Sequence, residues 1–230
     1  MVDLGCGAGN MGRALLGAGG EGAQLECVDS SPEMLGAAAL ALADVGADAD
    51  AAVRFTRADF GAWAAARTAS STAPDLLFSN AALHWANYAA HVSLLPALMA
   101  RLAPGGSLAV QMPDTRTQAS HVLMRSAAAR IGLGDRVAGV RGVSCEADPK
   151  DYYALLAPLC RPHGLELWHT DYAMVLHGDN PVADFTASTG LGPYVDALGG
   201  SDSSDGQAFI KAYRELISDA YPKMPDGSTL

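Results

Sequence analysis

The stretch Asp3-Leu4-Gly5-Cys6-Gly7-Ala8-Gly9-Asn10 has the composition of a ligand-binding turn. Glycines at 5, 7 and 9 let a backbone swing sharply out of a strand and approach a ligand closely. Free N–H groups then face that ligand at the start of the next helix. Residues 7–12 also satisfy G-x-G-x-x-G, which raises a dinucleotide site, although a lone match of that pattern is weak. Asp3 opposes it, standing two residues before the first glycine, where a dinucleotide strand is apolar. The glycines also begin one residue after the strand, in the order D-x-G-x-G-x-G. The plain alternative is a glycine-rich turn in a chain rich in Ala and Gly.

Three more polar groups stand where apolar runs end. Val28-Asp29-Ser30-Ser31 offers a carboxylate that can accept both hydroxyls of a ribose. Arg57-Ala58-Asp59-Phe60 offers an acid beside an aromatic ring, though Asp59 is equally suited to cap a helix. Ser79-Asn80-Ala81-Ala82-Leu83-His84-Trp85 follows a fourth run. In open α/β sheets ligands bind at the carboxyl ends of the strands, so four successive polar ends converge on one cleft.

The elements that must position these groups alternate. Strands are expected over residues 1–4, 24–28, 52–57, 75–79 and 107–112. Helices are expected over 11–16, after the Ser31-Pro32 start signal, and over 90–102. That rhythm predicts a Rossmann-like α/β fold, a doubly wound and mostly parallel sheet. After Asp114 the pattern changes to a helix over 118–131, a glycine-rich loop over 132–142 and a helix over 149–160. A longer strand over 165–176, a partly helical insertion over 180–198 and a helix over 207–221 complete it. The expectation is a single domain, with residues 1–115 binding a cofactor and 116–230 a substrate.

Composition narrows the partners. Half of the 230 residues are hydrophobic, but 44 are alanine and only 7% aromatic, so the core leans on small side chains. A net charge of −10 argues against a nucleic-acid or anionic-membrane binder. It leaves open an anionic small molecule, because a site is local and net charge is global. No apolar run approaches the roughly 18 residues of a membrane span. Met1 leads straight into Val2-Asp3-Leu4, and no secretory leader is expected. Cys6, Cys27, Cys145 and Cys160 have no metal-ligand spacing, so no metal site is expected and a cytoplasmic setting is.

The D-x-G-x-G-x-G order resembles the first motif of class I S-adenosylmethionine-dependent methyltransferases. That resemblance implies S-adenosylmethionine as cofactor, held by Asp3, Gly5, Cys6, Gly7, Gly9, Asp29, Ser30, Met34, Asp59, Phe60, Asn80 and Ala81. The acid at position 3 would organise the loop and the cofactor's ammonium group, and Asp59 would read the adenine amino group. A narrower resemblance covers almost the whole chain. Leu83-His84-Trp85, Met112-Pro113-Asp114, Ser120-His121-Val122-Leu123-Met124-Arg125, Tyr152-Tyr153, Trp168-His169-Thr170-Asp171-Tyr172 and Thr189-Gly190-Leu191 look like the trans-aconitate methyltransferase family. It implies methylation of a carboxylate on a small polycarboxylic acid, giving a monomethyl ester; a monomer is expected. A carboxylate of pKa about 4 is already ionised at neutral pH, so no general base is required. His84, His121, Arg125, Tyr172 and Thr189 are the candidate substrate donors, with Trp85 and Trp168 as walls. Other readings stay open for three of them: a solvated face for Arg125, core for Trp168, a helix cap for His121.

The sequence departs from that family in three places. The usual Thr-Gly-Leu-Arg-Pro reads Thr189-Gly190-Leu191-Gly192-Pro193, without a fork-shaped carboxylate donor at 192. The resemblance implies about thirty further residues ahead of the first strand, the size of a helix plus a strand. Lys223–Ser228 reads as a turn into a last antiparallel strand, and Leu230 ends the chain. The resulting expectation is a shortened chain of low stability and weak or no activity. Competing readings are methylation of another acid, such as an acyl-carrier-bound dicarboxylate, a non-catalytic Rossmann-like module, and a nicotinamide dehydrogenase.

Overall fold

The computed structural model describes residues 1–45, 53–66 and 72–230. Contacts group them into two compact units, Met1–Pro113 with Glu146–Leu167, and Asp114–Cys145 with Trp168–Leu230.

The first unit carries the sheet. Strands β1 (Val2–Leu4), β2 (Leu25–Asp29), β3 (Val53–Arg57), β4 (Leu76–Asn80) and β5 (Ser107–Gln111) pair in parallel in the order β3-β2-β1-β4-β5. The start expected at Ala52 lies outside the described residues. Between them run helices α1 (Gly12–Gly19), α2 (Pro32–Ala41), α3 (Phe60–Ala66) and α4 (Tyr88–Met99), and α6 (Pro149–Leu156) completes the unit. The strand order reverses at β1, so the crevice of such a sheet opens at the carboxyl ends of β1 and β4. Three-residue β1 is central, with Asp3 in register with Cys27 on one side and Phe78 on the other. Two apolar clusters flank the sheet. One gathers Leu15, Leu16, Leu25, Cys27 and Ala38, the other Leu4, Trp63, Leu77, Leu83, Leu98 and Tyr152.

Local chemistry sets the helix starts. Ser31 accepts from Met34 N and Pro32 fills the first turn of α2, as the sequence predicts. Asn87 accepts from Ala90 N to open α4, and Asp148 and Asp151 form a capping box on α6. Helix α3 was not expected. It is a seven-residue alanine-rich stretch that Asp59 caps through Ala62 N at 2.7 Å.

The second unit is helical, with α5 (Ala119–Arg130), α7 (Pro181–Ala187), α8 (Gly192–Ala197) and α9 (Ser204–Ala220). Its core centres on Met124, Tyr194, Leu198, Phe209, Tyr213 and Ile217, with Phe209 stacked between the rings of Tyr194 and Tyr213. Within the expected glycine-rich loop, Gly134–Val137 winds into a 3-10 turn that buries Val137.

The strand expected over 165–176 does not form. Among the described residues no neighbouring strand takes up its backbone groups, and without a partner its apolar residues specify no strand. Only Leu176 pairs, in an antiparallel bridge to Thr229 just past the expected turn near Asp226. Among the described residues no helix is long and apolar enough to cross a membrane.

Candidate functional site

Backbone conformation builds the glycine loop. Leaving β1, Gly5 and Cys6 both donate to Val28 O, at 2.8 and 3.0 Å, which bends the chain across the end of β2. Gly5 has φ of +74°, and a Cβ there would lie 2.3 Å from the Ala82 Cβ and 3.3 Å from the Phe60 ring. Conformation and space therefore both demand glycine. Gly9, at φ +80°, meets the Ala38 backbone in the same way, 3.1 Å from where its Cβ would stand. Gly7 at φ +52° is needed for conformation alone, since its side is open.

Asp29 holds the loop from β2. One carboxylate oxygen accepts from Gly7 N at 2.9 Å, the other from Ser31 N at 2.9 Å. Each oxygen keeps acceptor capacity beyond those bonds. Asp3 is more unusual. It is 2% exposed, and its Oδ2 meets no hydrogen-bond donor among the described residues. Burial, and then the charge of Asp29, push its carboxyl up to about 6. A buried carboxylate oxygen without a donor is costly, and a cationic ligand group would relieve it. The Cys6 thiol is pushed far up by its hydrogen bond with the Cys27 thiol and by burial, so it is no nucleophile.

The remaining strand ends meet the same loop. Phe60 packs against Gly5 while Asp59 serves as the α3 cap, so the helix-cap alternative is realised there. Asn80 ends β4 exposed, and Ala81, at φ +50°, donates to the Gln111 backbone and side-chain oxygens at 3.0 and 3.1 Å. Ser30 and Met34 are exposed near Asp29 in sequence. A 3-10 turn over Leu83–Trp85 follows, with His84 buried at 3% exposure, Trp85 64% exposed and their rings 5.0 Å apart. An open groove of about 740 Å³ lies instead at the amino ends of the strands, beside Met1, Gln24, Glu26, Arg54 and Asp75. It touches none of the candidate residues and is the end of such sheets that ligands avoid.

In the second unit the candidates have other partners. Arg125 donates to Ala138 O at 3.3 Å and Val140 O at 2.7 Å, tying down the loop after α5, so it is not simply a solvated face. His121 does not cap α5. Its Nδ1 bonds Ser120 Oγ at 3.0 Å, and burial lowers its pKa, favouring a neutral ring. Its Nε2 stands 3.1 Å from where a Cβ on Gly190 would be, so Gly190 makes room for the imidazole. Thr189 is exposed, within 3.5 Å of Phe185 O and Thr186 O. Trp168 and Tyr172 are about four-fifths exposed, which corrects the core alternative for Trp168. His169 bonds Asp171 between them at 2.9 Å.

Sequence reasoning passed over two groups. Arg116 grips Asp114 with two nitrogens, at 2.9 and 2.8 Å, holding that carboxyl below the usual range. The Met-Pro-Asp segment had flagged Asp114 but not its partner. His91, behind the Leu83–Trp85 turn, carried no motif, and Tyr152 was singled out only beside Tyr153 and not for this partner, because their contact joins residues 61 apart.

Comparison with known proteins supplies a family. A family model described as a methyltransferase domain matches residues 2–108. Trans-aconitate 2-methyltransferase of Paracidovorax citrulli is 38% identical over 231 residues, covering 100% of this chain and 82% of that protein. The protein of the same name from Klebsiella pneumoniae is 37% identical, covering 100% and 81%. Among solved structures, a putative sarcosine dimethylglycine methyltransferase from Galdieria sulphuraria has a TM-score of 0.48 at 16% identity. That match covers 99% of this chain and 74% of the other. Magnesium protoporphyrin IX methyltransferase from Synechocystis, with bound SAH, has a TM-score of 0.47 at 19% identity, covering 69% and 62%.

Proposed function

The chain belongs to the trans-aconitate 2-methyltransferase family, and from that premise we propose that it methylates a carboxylate of a small, trans-aconitate-like polycarboxylic acid, giving a monomethyl ester. S-adenosylmethionine, when bound, supplies an electrophilic sulfonium methyl. The observation that carries the reading is the Asp3 carboxylate, whose buried Oδ2 meets no donor among the described residues, beside a loop that only glycines can form. Asp3 matches the cofactor's ammonium group in charge. Asp29 keeps acceptor capacity for ribose hydroxyls, and Asp59 with Phe60 suits an adenine amino group and ring. Asn80 and Ala81 complete the cofactor set.

On this reading the protein's task is positioning. The acceptor carboxylate is ionised at neutral pH, so residues that orient it and exclude water suffice for in-line attack. His84 is the first choice to orient the acid because it follows the β4 end directly. His121, Thr189 and Tyr172 supply further donors and Trp85 and Trp168 apolar surface, while Arg125 acts through the loop it holds. Gly192, with open space where a Cβ would stand, favours one second reading, a bulkier or differently charged acid such as a carrier-bound dicarboxylate. Four free cysteines suit a reducing, cytoplasmic setting, and the reading includes a monomer.

A methyl-transfer assay over a panel of di- and tricarboxylates tests it. Ester formation on trans-aconitate, with S-adenosylhomocysteine as product, is the expected result. Transfer only to a carrier-bound acid would select the second reading. No binding of S-adenosylhomocysteine at millimolar concentration would overturn both.

A further inference from the structure

His91 lies on α4 with 1% of its surface exposed, and both ring nitrogens are engaged. Nε2 is 2.8 Å from Leu83 O, and a carbonyl can only accept, so Nε2 carries the proton. Nδ1 is then an acceptor, and the Tyr152 hydroxyl 2.9 Å away donates to it. Leu83 O also accepts from Ala86 N at 3.0 Å, the bond that closes the 3-10 turn. The imidazole therefore holds the carbonyl on which the turn bearing His84 and Trp85 depends.

The other side of that turn is fixed by the cofactor loop. Ala82, one residue earlier, occupies the space that denies Gly5 a side chain. Ala81, in the left-handed region, is tied to Gln111. Three residues of turn thus sit between a loop that cannot yield and a buried histidine. Tyr152 comes from α6, whose capping box and edge-on contact with the Tyr88 ring, centroids 5.4 Å apart, hold the phenol in place.

We propose that His91, with its tautomer set by Tyr152, is a positioning residue for acid substrates: it fixes the Leu83–Trp85 turn that presents His84 and Trp85. The proposal deepens the methyltransferase reading and rests on it for the identity of the substrate. Neither side chain touches the reacting atoms in this scheme. Their effect is on the acid and not on the cofactor, because the glycine loop keeps its own bonds to Val28 and Asp29.

Three variants test it. His91→Phe fills the space but removes the donor. His91→Gln keeps an amide N–H able to reach Leu83 O. Tyr152→Phe leaves the imidazole free to change tautomer and is the mildest change, should His91→Phe fold poorly. His91→Phe is expected to lower kcat/KM for the acid by about tenfold or more, the scale of one lost buried hydrogen bond. S-adenosylhomocysteine affinity should stay within about twofold, the tolerance expected of a site whose own contacts are intact. His91→Gln should restore most of the loss, and Tyr152→Phe should fall between.

A second readout is independent of turnover. The chain has three tryptophans, so 5-fluorotryptophan labelling gives three fluorine resonances, assigned with Trp85→Phe and Trp168→Phe. The Trp85 signal should shift or broaden in His91→Phe and Tyr152→Phe while that of Trp168 stays. An unchanged Trp85 signal in both variants would overturn the proposal. So would a His91→Gln variant as impaired as His91→Phe with an equally lowered Tm, since that is the mark of a merely structural residue. If wild-type protein methylates none of the acids, the functional reading fails, and the fluorine spectra still decide on the turn.

Discussion

Asp29 in the first unit and Arg125 in the second are both charged side chains whose partners are backbone groups. Asp29 accepts from Gly7 N and Ser31 N, and so shapes the glycine loop. Arg125 donates to Ala138 O and Val140 O, and so holds a loop beside its helix. In the first unit Asp3 and His84 are buried and Asp29 is bound to backbone, while Ser30, Met34, Asn80 and Trp85 are exposed. In the second, Trp168, Tyr172 and Thr189 lie exposed on coil or at a helix end. The contrast teaches that the glycine loop is a property of backbone conformation, while Trp168, Tyr172 and Thr189 are side chains on a surface whose packing does not require them.

The strongest test of that contrast sets two glycines against each other. Gly5→Ala places a Cβ 2.3 Å from Ala82 at φ +74°, so it should cost about 2–4 kcal/mol in overpacking and left-handed strain. S-adenosylhomocysteine binding should vanish with it. Gly192→Ala meets nothing within 4 Å and should change stability by less than about 1 kcal/mol. Equal effects in chemical denaturation and calorimetry would erase the distinction.

Protonation separates the units next. The Asp3 carboxyl is raised from 3.8 to about 6 in the folded chain. Its protonated form favours folding, so stability is full below about pH 4 and falls as pH rises to 6. The fall is on the order of 3 kcal/mol by linkage. Asp3→Asn should abolish that fall, leave the ligand-free protein more stable at pH 7, and weaken cofactor binding. His121 has the opposite sign. Burial lowers its pKa from 6.5, so its contribution is present above pH 6.5 and is lost as pH falls through the lowered value. His121→Gln should remove only that acid-side loss. Urea midpoints across pH 4–8 for the two variants check both slopes.

Smaller effects sharpen the second unit alone. Tyr213 is fully buried, donates to Ser120 O at 2.7 Å and lies 2.9 Å from Thr186 Oγ1. Tyr213→Phe should cost about 1–3 kcal/mol by taking the hydroxyl donor from Ser120 O, while Thr186 Oγ1 keeps Val182 O and Ala183 O as acceptors. Arg125→Gln loses two exposed bonds to carbonyls and should cost about 1 kcal/mol or less. Its KM for the acid should rise less than about twofold if the guanidinium serves the loop. A tenfold rise would move Arg125 into the substrate site.

Much of the first unit is legible in the sequence. Strand and helix order, the Ser31 cap with Pro32, and the need for glycine at 5, 7 and 9 follow from local rules that tertiary context did not override. Helix α3 was missed because seven residues with a lone Asp59 cap carry little periodicity. The expected strand over 165–176 failed for the opposite reason: apolar residues at both of its ends suggested it, but a strand exists only against a partner. His121 and Arg125 were rightly placed on a helix, yet their partners at Ser120, Ala138 and Val140 could not be read from residue type.

By itself, the sequence determined the doubly wound order, the glycine loop and the acids at the strand ends. Conformational limits and strand polarity act over a few residues and leave a local signature. Only the tertiary structure decided that Ala82 denies Gly5 a side chain, that Asp3 is buried with an oxygen no neighbour satisfies, and that His91 and Tyr152 hold the turn bearing His84. Those facts depend on which distant residues share one small volume, and burial and hydrogen bonding respond to that volume rather than to spacing along the chain.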